Sequence, residues 1–579
     1  MPAFFRHPWL LRLREPLALA FVFVVMVLPH RADWINLQSF VFVPLELWLV
    51  GLLLLVPGKR GRGLAVALGL VLGAGLIIRL ADLAAFQIFA RSFNPVLDAY
   101  LLADGMNLLR GAIGPIGAWL VALLLAGFAL ALLYAGIRAL AVLRAPLQRH
   151  RRSAVLCLLA GLVLSIIWRA AGLPRTTTYF SDQLREHAAS TLTSMRDLRA
   201  FRAEIAAHSA VVPQENGMFA ALAGKDVAVI FVESYGRAAL VNDTFASDLD
   251  AVLARGETAL DAGGFGMRSA WLRSPTVGGL SWLAHATTLS GLWVDSQLRY
   301  DSLMQSDWPT LNRLFNNAGW RTVGVMPAIT MPWPESRYFG YDQVYAARDL
   351  GYRGAPFNWV TMPDQYVLSA FERLERKPQP RTPVMAEIAL ISSHAPWTPI
   401  PHLVPWEQVG DGSIFTEQAT AGPTSEEVWS DNTRIRAHYR QTLVYALDNL
   451  VSWLLAYGDD NLVVLVLGDH QPAPLVSGDT ENREVPVHLI ARDPAVLEAV
   501  ASWQWQAGLR PDAEAPHWRM DALRDRFVAA FSGGYGGSGD ADSRSEAGPG
   551  AANGSSDVNE PLTPAAAPTD PDAPPSRRP

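Results

Sequence analysis

The sequence predicts an α-helical membrane anchor of about five spans, then an α/β domain with a mainly parallel sheet between helices, then a disordered C-terminal tail. Three observations carry this. The apolar excess sits before about residue 175, where five apolar runs follow one another. From Lys225 to about Phe531, apolar runs of strand length alternate with helical patterns. From Ser532 the chain turns to Gly, Ser, Ala, Asp and Pro, which cannot bury enough surface to order itself. The implied units are 1–174 (transmembrane anchor of five helices), 175–224 (helical connector), 225–531 (α/β domain) and 532–579 (tail). A chain of 579 residues has room for all of them.

The five apolar runs extend roughly from Pro16 to Leu28, Phe40 to Val56, Leu64 to Ile78, Ile116 to Ala135 and Ala154 to Ile167. Several approach the roughly 20 residues that span a bilayer as a helix. Four runs behind the first favour a multi-pass anchor over a cleaved signal peptide. Arg6, Arg12 and Arg14 precede the first run; Lys59, Arg60 and Arg62 follow the second; Arg144, Arg149, Arg151 and Arg152 follow the fourth. With five crossings all three clusters share one side, which the positive-inside rule makes cytoplasmic. Arg91 and Arg110 blunt the contrast. The remainder of the chain is then expected outside the cytoplasm.

Composition excludes some functions. The formal net charge is −6 and no basic stripe marks the globular part, which argues against nucleic-acid binding. The single cysteine, Cys157, lies in an apolar run, so neither an intrachain disulfide nor a cysteine-based zinc site is expected.

Residues 182–207 are charged and helix-prone, as suits a connector. Strands are expected at Asp226 to Val232, Trp320 to Met326, Val384 to Ile391, Leu462 to Leu467 and Val485 to Ile490. Helices are expected at Leu311 to Ala318 and Tyr439 to Tyr457. The closely spaced glycines from Gly533 to Gly539 follow no strand and open no helix, so they read as linker.

In open α/β sheets, ligands bind beyond the carboxyl ends of the strands. Three of the expected strands end in polar residues: Glu233-Ser234-Tyr235-Gly236, Ser392-Ser393-His394 and Gly468-Asp469-His470. Each follows an apolar run directly, so all three should emerge at one edge. A carboxylate from one strand and an Asp-His pair from another suit a zinc or manganese ion.

These segments resemble the alkaline phosphatase and sulfatase superfamily, within it the lipoteichoic acid synthase-like and phosphoethanolamine transferase-like membrane enzymes. The resemblance runs from Asp226 to about Arg492, plus the anchor. It is carried by VIFVESYG, SPTVGGLSWLAHATTLSG, TLNRLFNNAGWRTVGV, YFGYDQVY around Tyr341, ISSHAPW, and YALDNLVSWLLAYGDDNLVVLVLGDHQP. It implies a mainly parallel sheet between helices and one divalent metal ion (manganese or zinc, with magnesium a third candidate). The ligands it implies are Glu233, Thr276, Asp469 and His470. Thr276 would be the nucleophile, its hydroxyl activated by the metal, with Ser281, Thr287 and Thr288 as rivals nearby. His394 would meet the transferred headgroup or the leaving group. Trp333 and Arg337, near the FGYD segment with altered spacing, would grip the substrate phosphate.

The sequence departs from the family's sulfatases, because Ser274-Pro275-Thr276 lacks their spacing and Cys157 lies in the membrane part. His488 is open between an added ligand and a core histidine. The expected activity is transfer of a phosphoglycerol or phosphoethanolamine type group from a membrane lipid donor to an envelope glycan, lipid or polymer. The alternatives are a phosphoric or sulfuric ester hydrolase on the same chemistry, and a non-catalytic envelope protein that retains the fold. The expected location is a bacterial inner (cell) membrane, multi-pass, with the catalytic domain on the periplasmic or extracellular side.

Overall fold

The computed structural model describes residues 8–89, 91–98, 100–171, 176–208, 217–478 and 482–533. The expected disordered tail lies outside the described residues beyond Gly533, as do Arg6 and, within the expected connector, residues 175 and 209–216.

Five helices fill the region where five spans are expected: α1 (Pro8–Val27), α2 (Leu45–Leu54), α3 (Gly58–Phe89), α4 (Leu101–Arg149) and α5 (Arg151–Ala170). Among the described residues, three helical segments are long and apolar enough to cross a membrane: Gly58–Phe89, Gly105–Arg149 and Arg151–Ala170. The 10 residues of α2 fall short of a span. In α1, Arg12, Arg14 and Glu15 break the apolar run. Within α4 the chain kinks at Gly114, φ +75°, immediately before Pro115. Large apolar side chains of α4, among them Leu123, Leu124, Leu125 and Phe128, are exposed, as suits a helix that faces lipid. Small residues let α3 and α4 touch backbone to backbone. A Cβ on Gly69 would stand 2.6 Å from the Ile137 Cα, and one on Gly136 would stand 2.2 Å from the Gly69 carbonyl oxygen. The connector is a 30-residue helix, α6 (Tyr179–His208).

The α/β domain is built on a nine-stranded sheet. Its strands are β1 (Asp226–Val232), β2 (Gly266–Arg273), β3 (Arg321–Met326), β4 (Gln343–Ala346), β5 (Val384–Leu390), β6 (Leu462–Gly468), β7 (Glu484–Ala491), β8 (Gln506–Ala507) and β9 (His517–Arg519). The spatial order is β8-β2-β7-β6-β1-β5-β3-β4, with β9 also paired to β2. Strands β6, β1, β5, β3 and β4 run parallel. Strand β7 is antiparallel to both β6 and β2, so β2 again points the same way as β6. The sheet is therefore mainly parallel but mixed.

The central strand β1 shows why the domain holds together. Its sequence DVAVIFV is buried throughout. Ala228, Ile230 and Val232 enter one apolar core, while Val227, Val229 and Phe231 enter the core on the other face. Helices α7 (Ala246–Ala262) and α10 (Asn432–Tyr457) feed the first core. Helix α8 (Ser281–Ser290) feeds the second, as does α9 (Leu311–Asn317). At the start of β1, Asp226 is buried and accepts from Arg376 Nε (3.1 Å), from Arg381 Nη1 and Nη2 (2.6 Å each) and from the Val384 amide (3.0 Å). That ion-paired node ties β1 to β5 at the edge opposite the site.

Candidate metal centre

Parallel neighbours β6, β1 and β5 end side by side, which brings Asp469-His470, Glu233 and Ser392-Ser393-His394 to one edge. One ligand atom from each of Glu233, Asp469 and His470 lies within 4.8 Å of the others, and all three residues are buried. His470 Nε2 is 3.4 Å from Glu233 Oε1 and 3.7 Å from Asp469 Oδ2.

The backbone is bent to achieve this. Ser234 adopts a left-handed conformation, φ +57°, unusual for a residue other than glycine. Its amide donates to Asp469 Oδ1 (2.8 Å), its hydroxyl to Glu233 Oε1 (2.8 Å), and its carbonyl accepts from Tyr439 on α10 (2.9 Å). The Glu233 carbonyl accepts from Ser393 Oγ (2.6 Å). The Asp469 carbonyl accepts from Ser274 Oγ (2.6 Å), and its Oδ1 also accepts from the His470 amide (2.7 Å). The strand ends are thus locked to one another.

His470 Nδ1 donates to the Gln471 carbonyl at 2.8 Å, which fixes the tautomer and leaves Nε2 as the free ligand atom. Charges in the cluster compete. Burial pushes the Glu233 carboxyl up, but the charges of His394 and His470 and hydrogen bonds from His470 and Ser234 outweigh it and hold it well below its ordinary value. Burial and the Glu233 charge push Asp469 up to about 6. Burial works against protonation of His470, yet the Asp469 and Glu233 charges raise it to about 9. Two buried carboxylates sharing one imidazolium leave a net negative site. A dry cluster of this sign, with oxygen and nitrogen donors and an oriented imidazole, fits a divalent cation of the zinc or manganese type.

The loop after β2 brings the hydroxyls. Thr276 is buried, and its Oγ1 donates to the Gly279 carbonyl at 2.7 Å, closing the loop on itself. Gly278 (φ +74°), Gly279 (φ +147°) and Leu280 (φ +63°) then turn the chain into α8. The first residue of that helix is Ser281. Its hydroxyl donates to Glu233 Oε2 at 3.2 Å and lies 3.2 Å from His470 Nε2. The structure joins Ser281 to the acidic cluster, whereas the Thr276 hydroxyl is engaged elsewhere. The reason is the reversal at three consecutive positive-φ residues, which carries the approach to the cluster five positions along the chain.

His394 stacks on Trp359 with ring centroids 4.1 Å apart, and its Nδ1 donates to the Ala395 carbonyl (2.6 Å). Its charge reaches Glu233. Trp333 packs on Phe339 and Tyr341, at 5.7 and 6.1 Å between ring centroids. Arg337 is exposed on the short helix that follows, and its carbonyl accepts from Arg313 Nη2 (3.3 Å). His488 lies inside the sheet, within hydrogen-bond distance of Ser269 Oγ (2.7 Å) and Tyr235 (3.3 Å), with burial lowering it to about 3. It is a core histidine and not a member of the cluster.

Sequence reasoning missed one polar network beside the site. His285 stands one turn after Ser281 on α8, stacks on Phe231 (3.7 Å) and donates from Nδ1 to the buried Glu387 (2.6 Å). Tyr341 donates to the other oxygen of that carboxylate. Burial and the Glu387 charge hold the Tyr341 phenol well above its ordinary value. The available signal was Glu387 itself, a carboxylate in the middle of the apolar strand VMAEIAL, which needs buried partners.

The chain resembles several solved structures over part of its length. Among them is lipoteichoic acid synthase LtaP from Listeria monocytogenes, at 12% identity over 57% of this chain and 78% of that one, TM-score 0.36. The Streptococcus pyogenes phosphoglycerol transferase GacH, solved with sn-glycerol-1-phosphate, shares 13% identity over 58% and 80%, TM-score 0.35. The C-terminal periplasmic domain of EcEptC from Escherichia coli shares 13% identity over 55% and 84%, TM-score 0.35. No family model matches the sequence, and no curated protein matches it. The chemistry is therefore read from the residues themselves.

Proposed function

We propose that the chain is a membrane-bound, metal-dependent phosphotransferase of the alkaline phosphatase and sulfatase superfamily. It moves a phosphoglycerol or phosphoethanolamine type group from a lipid donor to an envelope glycan, lipid or polymer. One observation carries the reading. A hydroxyl, Ser281 Oγ, stands within hydrogen-bond reach of both Glu233 and His470, in the cluster they form with Asp469. Glu233, Asp469 and His470 would hold the cation. When bound, it would lower the pKa of a neighbouring hydroxyl and stabilise charge on phosphoryl oxygens.

The residues of the chain supply the rest. Ser281 sits at the amino end of α8, where helix N–H groups favour an incoming anion. Its oxygen attacks phosphorus, the bond from phosphorus to the diacylglycerol oxygen breaks, and that oxygen leaves with a proton. An acceptor hydroxyl then attacks the phosphoserine, the serine oxygen leaves, and the headgroup phosphate is transferred. His394, with Nδ1 pinned by a carbonyl, keeps Nε2 as its exchangeable position and is the candidate proton donor to the departing alkoxide. Trp333 and Arg337 remain the candidates for headgroup contact. This reading places Ser281, rather than Thr276, in the nucleophile's role. The five-helix anchor, the cytoplasmic N-terminus and the outward catalytic domain belong to the same proposal.

Incubating the full chain with labelled phosphatidylglycerol or phosphatidylethanolamine, a divalent metal and an added glycolipid tests the reading. Label on the acceptor supports transfer. Label released to water alone makes the protein a hydrolase, and no turnover with any metal makes it a non-catalytic envelope protein.

A further inference from the structure

We propose that the corner where α3 meets the catalytic loop binds the phosphate of an anionic phospholipid headgroup, with Arg273 and Arg483 as its ligands and Arg91 beside them. This rests on the membrane-inserted orientation proposed above, and it names a lipid site distinct from the metal cluster.

Depth comes first. Helix α3 has 32 residues, so it is about 48 Å long at about 1.5 Å per residue. Lys59, Arg60 and Arg62 mark its inner end. A hydrocarbon core of about 30 Å leaves the last turns of α3 standing in and above the outer headgroup layer. There the Ile88 carbonyl abuts the catalytic loop, since a Cβ on Gly278 would lie 2.1 Å from that oxygen. The loop that presents Ser281 is thus seated on the end of a membrane helix. Leu80, exposed on α3 about two turns below this contact, offers an apolar path for acyl chains.

Charge comes second. Arg273 ends β2, and Arg483 precedes β7 on the neighbouring strand. The Ser274 amide donates to the Arg483 carbonyl (2.9 Å), and Arg483 Nη1 donates to the Pro275 carbonyl (2.8 Å). Both arginines therefore border the catalytic loop. Among the described residues neither forms an ion pair. Arg91, just past α3, is fixed on Asp98, with Nη1 to Oδ2 at 2.9 Å. Burial lowers the Arg483 guanidinium and the Arg273 charge lowers it further. Asp295 opposes this, and Arg91 adds to the depression. Asp295 is shared with Arg299, 3.6 Å away, and with the Trp293 indole at 3.1 Å.

The exposed Arg273 beside the half-buried Arg483 sets two like charges together, an arrangement that an anion would relieve, and fork-shaped guanidiniums suit phosphate oxygens. A lipid is the fitting source, because the corner opens at the end of a membrane helix and at headgroup height. Such a lipid would present its phosphodiester next to the loop bearing Ser281.

The test uses the EDTA-treated full chain in detergent, with retention of phosphatidylglycerol or phosphatidylcholine read by native mass spectrometry. We expect phosphatidylglycerol to be retained preferentially. We expect R273Q/R483Q to weaken it by about 25-fold, about fivefold per arginine. R273K/R483K, which keeps both charges, should stay within about threefold of the parent, showing that the glutamine variant loses charge and not fold. Equal retention by the parent and the glutamine variant would overturn the proposal. So would equal retention of the two lipids, or competition by free glycerol phosphate as strong as that by the lipid. The readout needs no metal, so binding without turnover would sink the transferase reading and leave this site standing.

Discussion

Replacing Ser281 by alanine separates the two hydroxyls of the catalytic loop. Ser281 Oγ has Glu233 Oε2 and His470 Nε2 as neighbours at 3.2 Å, so its removal deletes the only attacking oxygen this account provides. A loss of at least about 1,000-fold in kcat/KM is expected, which is about 4 kcal/mol of transition-state stabilisation. The fold should tolerate the change, since alanine is a good residue for the first turn of a helix and the preceding Gly278-Gly279-Leu280 turn is untouched. Thr276→Ala is the contrast. It removes one loop-internal hydrogen bond, to the Gly279 carbonyl at 2.7 Å, worth about 1 kcal/mol of fold stability, and should leave kcat/KM within about fivefold of the parent. The assay is release of labelled headgroup from phosphatidylglycerol micelles by the full chain, with peptide mass spectrometry after an acid quench to find the phosphorylated residue. Phosphate on Thr276, or an active Ser281→Ala protein beside an inactive Thr276→Ala protein, would refute the reasoning.

Two further outcomes follow from the same geometry. Asp226→Ala strips the buried Arg376 of one carboxylate partner, takes from Arg381 its carboxylate partner and leaves the Val384 amide without its acceptor. It should destabilise the α/β domain by about 3–5 kcal/mol, read from urea unfolding of detergent-solubilised protein, and a change below about 1 kcal/mol would show the node to be dispensable. Metal affinity should depend on pH. His470 is raised to about 9, so a cation bound below that pH must displace its proton. The apparent Kd should fall about tenfold per pH unit between about pH 6.5 and 8.5 and flatten above about 9. Below about 6, protonation of Asp469 should steepen the dependence. A Kd independent of pH across that range would mean that His470 is not a ligand.

Much of this was legible in the sequence, for a physical reason. A parallel strand covered on both faces is an uninterrupted apolar run, so DVAVIFV and LVVLVLG announce themselves, and the first polar residue after each marks the sheet edge. The meeting of Glu233, Asp469 and His470 follows once β6 and β1 are neighbours. Strand β2 (GMRSAWLR) was not legible, because Arg268 and Ser269 interrupt its apolar pattern and its long pairing with β7 is antiparallel. The loop behind it was harder still. Which hydroxyl reaches the cluster depends on three successive positive-φ residues, and residue types alone do not specify that path. The anchor was readable as apolar runs. The end of α3 pressing on Gly278 was not, because one missing methyl group marks the contact.

The most direct test is metal stoichiometry by elemental mass spectrometry on the purified full chain, beside its Asp469→Asn and Glu233→Gln variants. The parent should hold one manganese or zinc ion per chain after dialysis, and each variant should fall to background while keeping the parent's circular dichroism spectrum. A parent that binds no transition metal, or variants that bind it undiminished, would contradict the claim that these strand ends form a cation site.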